Sequence, residues 1–217
     1  MESDEFIIKE YWEFLNEKGF PCVAAKAALA KNHIKCIVVS HMACPADDAA
    51  ILQFMYNFVD TYRASKASYH SAAIIFKGPL GVDENVFDQL LWQRLNALSS
   101  RDKVNYKHDA RVDSDPTSVN YSFSLKEEAF FIVGLHAASA RKARQFKYPA
   151  LIFNPHAEFQ KLRKSNRYDK MKEVVRKRDI AYSGSINPML DDFGNTSEVY
   201  QYSGVKYTSD WTCPLSN

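Results

Sequence analysis

Apolar and polar positions divide the chain into helices and short strands. Phe6, Tyr11, Phe14 and Leu15, with charges between them, predict an amphipathic helix that Gly19 terminates. Beyond the turn at Phe20-Pro21-Cys22, the run from Val23 to Ala30 is rich in alanine. Alanine costs little helix entropy and lets another element approach closely, so this run predicts a tightly packed helix. Ile34 to Val39 is a β-branched run of strand length, and Asp47 or Asp48 starts a helix reaching about Ser65 through Ile51, Phe54, Met55, Phe58 and Tyr62. Ala72 to Phe76 predicts a second strand ended by Gly78-Pro79. Val82 to about Leu98 places Val86, Phe87, Leu90, Leu91 and Leu95 at helical spacing.

Arg101 to Thr117 is polar and carries Asp115-Pro116, which predicts a surface loop or a boundary between two halves. Val119 to Leu125 alternates strictly and predicts a half-buried strand. Phe130 to Leu135 and Ala150 to Phe153 are two further apolar runs of strand length on either side of an expected helix from Ser139 to Arg144. Basic helices continue to about Ile180. From Tyr182 the periodicity gives way to Gly, Asn, Pro, Ser and Tyr, which predicts a long ordered loop. Its aromatic clusters suit a cover over the sheet, with Tyr202 and Trp211 mostly buried. Two groups of strands with interleaved helices predict the α+β class, a mixed β-sheet covered by helices, with residues 1–217 as one domain.

Composition supports a large core, with 46% hydrophobic and 13% aromatic residues. The formal net charge of +2 marks no nucleic-acid or membrane partner. Charge is concentrated instead from Arg141 to Arg178, where thirteen Lys and Arg residues face three acids, Glu158, Asp169 and Glu173. Such a run is either a solvated helix face or a surface for RNA or another polyanion. The acidic opening, with Glu2, Asp4 and Glu5, and the lack of an apolar stretch near ~20 residues predict a soluble, cytoplasmic protein without a membrane partner. Four cysteines without a C-x-x-C pair predict free thiols. No zinc-hydrolase, phosphate-loop or serine-nucleophile motif occurs.

Five segments occur in order: Phe20-Pro21-Cys22-Val23-Ala24-Ala25-Lys26-Ala27-Ala28; Gly134-Leu135-His136 with Ser139, Arg141 and Arg144; Phe153-Asn154-Pro155-His156 with Phe159, Leu162 and Arg163; Arg178-Asp179 with Gly184-Ser185-Ile186-Asn187-Pro188; and Gln201-Tyr202-Ser203-Gly204 with Trp211-Thr212-Cys213-Pro214. Together they resemble the signature blocks of the YqcI/YcgG family, some of whose members are haem-dependent guanidino N-hydroxylases. The resemblance implies haem b, molecular oxygen or peroxide as co-substrate, an electron donor where oxygen is used, and N-hydroxylation of a small guanidino or amino compound. One departure is Ala137 after His136, where relatives often carry proline.

A haem site needs an axial imidazole or thiolate, an apolar wall, and cations or amides for the propionates. His136 ends an apolar strand and suits the metal ligand; Arg141 and Arg144 follow at a spacing that would put both guanidinium groups on one helix face, toward two propionates. His156, after Asn154-Pro155, is the rival ligand or a catalytic group beside bound oxygen. Cys22 is the third ligand candidate, because a thiolate at a helix start has a lowered pKa. Lys26, among alanines, either meets a carboxylate or propionate or snorkels to solvent. Asn187 and Tyr202 are candidate substrate contacts, near Asp191, Asp192 and Glu198. His33, His41, His70 and His108 form no constellation in the sequence and are expected at the surface or in packing. A haem protein without catalysis and a polyanion-binding protein stand as alternatives, and a homo-oligomer is compatible with all three.

Overall fold

The computed structural model of the protein describes residues 2–164, 168–186 and 193–215. Five strands form one mixed sheet: β1 (Ile34–His41), β2 (Ser71–Gly78), β3 (Phe123–Leu125), β4 (Glu128–Leu135) and β5 (Ala150–Pro155), in the order β1-β2-β5-β4-β3. Only β1 and β2 pair in parallel. A parallel pair needs a crossover, and helix α3 (Asp48–Ala64) supplies it. β3 and β4 instead form a tight hairpin, with Lys126 and Glu127 at φ 50° and 56°. Arg63 holds that turn by donating to both carbonyls, at 3.0 and 2.8 Å.

The two-residue period of the strands separates two cores. Ala72, Ile74, Phe76, Phe130, Ile132, Leu151 and Phe153 join the core built on α3 and α4 (Glu84–Asp102). Ala73, Ile75, Leu135, Ala150 and Ile152 join the core built on α1 (Asp4–Asn16) and α2 (Val23–Ala30). Central strand β2 is buried along most of its length, which explains its unbroken apolar sequence. Helices α5 (His156–Lys164) and α6 (Tyr168–Ser183) follow β5, and α6 packs on α2. Among the described residues three helix starts are capped by side chains: Ser3 Oγ accepts from Phe6 N at 3.2 Å, Cys22 Sγ from Ala25 N at 3.4 Å and Asp83 Oδ1 from Val86 N at 2.8 Å.

The α+β expectation is met, with local corrections. The expected strand from Val119 shortens to Phe123–Leu125, because Asn120 O accepts from Asp113 N and Ser118 O accepts from Tyr121 N, turning the chain before β3. The expected helix from Ser139 to Arg144 reduces to one 3-10 turn, Lys142–Arg144. Ser139 Oγ accepts from Arg141 N at 3.3 Å, offering the backbone an alternative to helical pairing. The polar segment after α4 is tied to the sheet, since Asp109 N donates to Ser124 Oγ at 3.0 Å and Asp109 Oδ2 accepts from Ala129 N at 2.9 Å. In the C-terminal segment Tyr202 is fully buried, as expected, whereas Trp211 is only half-buried. Among the described residues, no helix is long and apolar enough to cross a membrane.

Candidate functional site

A cavity of about 220 Å³ lies between the sheet and helices α2, α5 and α6. Cys22, Ala25 and Ala28 line it from one side of α2, together with Ala24. These small side chains leave the hollow open: the close approach that the alanine run predicts is to empty space as well as to another helix. Phe131 and Val133 from β4, Phe159 and Leu162 from α5, and Met171 and Val175 from α6 supply apolar walls. An adjoining hollow of about 320 Å³ shares Ala24, Tyr69, Leu162 and Met171 and reaches Lys170. Together they fall in the ~300–1,000 Å³ range of small-molecule sites.

Polar groups are few and specific. Cys22 caps α2, its Sγ accepting from Ala25 N at 3.4 Å. Burial pushes its thiol pKa up and outweighs the lowering by the Ala25 and Ala24 amides, so the free thiol is not the acidic one that a helix start alone predicts. Glu158, whose side chain is 8% exposed, accepts from Tyr69 N at Oε2, at 2.9 Å. That bond holds Tyr69 at φ 70°, a left-handed conformation that is unusual for a bulky residue. Glu158 Oε1 lies 3.8 Å from His70 Nδ1, and neither atom has a hydrogen-bond partner. His70 stacks face to face on His33 with ring centroids 4.6 Å apart. Desolvation first, and His33 second, push its pKa down and keep the ring neutral. Ser71 Oγ donates to Asn154 Oδ1 at 3.1 Å, and Asn154 Nδ2 donates to Phe131 O at 3.4 Å.

Most residues singled out in the sequence lie elsewhere. His136 follows β4 on the α4 side of the sheet, stacked on Phe87 at 4.2 Å and 1% exposed. Both ring nitrogens lack a partner, and desolvation, then the Arg144 guanidinium, push its pKa down to about 4. Arg141 and Arg144 do not share a helix face. Arg141 pairs with Asp179 and donates to Ser185 O at 2.8 Å. Arg144 donates to Gln201 O at 2.7 Å, Tyr202 O at 2.9 Å and Gly134 O at 3.4 Å. Lys26 Nζ donates to Glu17 O at 2.7 Å, capping the end of α1 outside the cavity. His156 starts α5, with Nε2 2.9 Å from Gln160 Nε2 and Nδ1 3.8 Å from Glu198 Oε2. Tyr202 is a core residue: its hydroxyl donates to Glu198 Oε1 at 2.6 Å and accepts from Phe123 N at 3.1 Å. Asn187, Pro188, Asp191 and Asp192 lie outside the described residues.

The sequence profile of the YqcI/YcgG family matches residues 11–216. This chain belongs to the YqcI/YcgG family. It is similar to Uncharacterized protein YqcI of Bacillus subtilis (strain 168), with 28% identity over 203 residues, covering 87% of this chain and 78% of the relative. It is also similar to Uncharacterized protein YcgG of the same organism, with 23% identity over 184 residues, 81% of this chain and 71% of the relative. No solved structure matches the chain.

Within this YqcI/YcgG fold the five sequence blocks separate by position. Cys22, Ala24, Ala25 and Ala28 from the first block and Asn154, Phe159 and Leu162 from the third line the cavity. Three other blocks meet in the Arg141–Asp179 and Arg144–Tyr202 contacts, which pin α6 and the C-terminal segment around it. The cavity lining combines a cysteine sulfur and a neutral imidazole with an apolar wall, with Lys172 on its lining and Lys170 on that of the adjoining hollow. His136 has available lone pairs but is packed against Phe87 and lines neither of these two hollows. Among the described residues no three His, Cys, Asp or Glu side chains converge as ligands for a bare ion.

Proposed function

We propose that this YqcI/YcgG protein is a haem-dependent oxygenase that N-hydroxylates a guanidino or amino small molecule in the cavity between the sheet and α2, α5 and α6. The observation that carries the reading is Cys22, a residue of the first sequence block, standing at the start of α2 with an apolar cavity before it. Bound haem b would supply the oxidative chemistry, drawing on oxygen and an electron donor or on peroxide.

The chain's own residues have separable tasks. Cys22 Sγ would be the ligand, and the Ala25 N–H and the positive end of α2 would favour its thiolate there. Ala24, Ala25 and Ala28 make room, while Phe131, Phe159 and Met171 exclude water from the reacting atoms. His70, neutral and beside Glu158, accepts or returns a proton at Nδ1. Lys170, on the adjoining hollow, would suit a propionate better than Arg141 and Arg144, whose donors already serve Asp179 and backbone carbonyls. A second reading, His136 as ligand, is favoured by its two unpartnered ring nitrogens and requires Phe87 to move aside.

Absorption spectra of protein produced with a haem precursor test the reading. The wild type should carry a Soret band, Cys22→Ser should shift or lose it, and His136→Ala should leave it unchanged. An unchanged band in Cys22→Ser with a lost band in His136→Ala transfers ligation to His136.

A further inference from the structure

Strand β1 is the open edge of the sheet, paired on one side with β2 and on the other with no strand. His33 O accepts from Ser71 N at 3.2 Å, so the alternation of the strand turns the N–H and C=O groups of Lys35 and Ile37 toward β2 and those of Ile34, Cys36 and Val38 outward. Among the described residues no other segment bonds these outward groups, and the edge closes only at Ser40, whose N donates to Asp47 Oδ2 at 2.8 Å. From Ile34 to Val39 it carries no proline and a single charge, Lys35, so the devices that blunt an edge are nearly absent. The opposite edge is covered: β3 is three residues long, and beyond it Gly134 N donates to Tyr202 O at 2.7 Å.

Apolar surface flanks the open edge on both faces of the sheet. On the α1 face Cys36 and Val38 are half-buried, and Trp12, 40% exposed, donates to the Cys36 sulfur. On the α3 face Ile37 is half-buried, with Lys35 exposed beside it. We propose that β1 pairs antiparallel with β1 of a second copy of this chain, about a two-fold axis at Ile37. Cys36 then exchanges both of its outward hydrogen bonds with Val38 of the partner subunit, and the two sheets become one. Charge selects this occupant and this register. Lys35 and Asp47 form no ion pair within the chain among the described residues. Asp47 directly precedes α3, on the face that Lys35 shares, so the two-fold sets Lys35 opposite Val39 of the partner subunit and next to its Ser40–Asp47 contact, once on each side of the axis. An axis at Val38 would run Cys36 into the capped Ser40, and one at Cys36 would carry Lys35 away from Asp47. Because the pairing uses the open edge of each copy, it closes at a dimer and does not propagate. It is independent of what the cavity holds.

Sedimentation equilibrium of the wild-type chain at about 10–100 μM tests this, with an expected mass of twice the 24.8 kDa of one chain. Val38→Pro removes an outward N–H and no bond to β2, so it should sediment as a monomer that still unfolds cooperatively. Lys35→Glu should raise the dimer dissociation constant about fivefold, as exposed charge pairs do. Residues facing each other at a non-hydrogen-bonded antiparallel site have Cα atoms about 4.5 Å apart, within disulfide reach. Ile37→Cys should therefore give a covalent dimer on mild oxidation, with the two introduced sulfurs linked in its peptide map, and this decides the matter if Val38→Pro does not fold. A wild type that stays monomeric at ~100 μM overturns the proposal. So does a dimeric Val38→Pro, a Lys35→Glu dimer as tight as the wild type, or an Ile37→Cys chain without a link between the introduced sulfurs.

Discussion

Arg144 holds Tyr202 by its backbone: the guanidinium donates to Tyr202 O at 2.9 Å, and Gly134 N donates to the same carbonyl at 2.7 Å. The contact joins the turn after β4 to the C-terminal segment. Arg144 is buried and its pKa falls to about 10, with desolvation the leading cause and Arg141 the second. The guanidinium also lies close to Gly204, where an added Cβ would sit 2.9 Å from Arg144 Cδ at a φ of +95°.

Arg144→Ala should therefore leave buried carbonyls without donors and cost about 3 kcal/mol of stability. Arg144→Lys should recover little, because one ammonium does not reproduce the planar fork that serves separate acceptors. Urea unfolding of the two variants checks this. A loss below ~0.5 kcal/mol in Arg144→Ala would show that the contact is not structural.

Truncation after Asp192 should prevent folding. The segment beyond it places Tyr202 and Val199 in the core, and stacks Trp211 on Tyr207 at 3.8 Å. Tyr207 OH in turn accepts from Trp92 Nε1 at 3.1 Å. Loss of the near-ultraviolet circular dichroism signal in the truncated chain is the expected result, and a cooperative thermal transition would contradict it.

His136 should make the protein acid-sensitive. Its folded pKa, about 4, lies below the ordinary value of 6.5, so the fold favours the neutral ring. The stability this contributes is fully present above pH 6.5 and is lost as pH falls from 6.5 toward 4. Between pH 7 and 4.5 the wild type should lose about 2 kcal/mol more than His136→Gln, which has no titrating ring. Parallel stability curves for the two proteins would show that the ring protonates without cost.

The pattern of the chain located most elements because each rests on local periodicity and caps: α2 follows the alanine run, and β2 and β5 follow apolar runs bounded by turns. It failed where side chains compete with the backbone, as at Ser139, whose hydroxyl accepts from Arg141 N. The site was less legible. Cys22 and the alanines around it were visible as a block, but His70 gains its meaning from Glu158, which follows in the chain only after the strands of the sheet. No spacing rule connects such a pair; only sheet pairing between β2 and β5 brings the segments beside them together. Arg141 and Arg144 mislead for a related reason. Their spacing implies a shared face only if the turn is an α-helix, and it is not.

The central claim is that the hollow facing α2 holds the haem. Ala25 lines that hollow, whereas Ala30 on the same helix is exposed, so the two positions separate filling the cavity from perturbing the helix. The decisive measurement is the Soret absorbance per protein chain of wild type, Ala25→Phe and Ala30→Phe, produced with a haem precursor and checked for equal helix content. A band in the wild type and in Ala30→Phe, lost in Ala25→Phe, is the predicted result. A band of wild-type intensity in Ala25→Phe, or none in the wild type, would contradict the account.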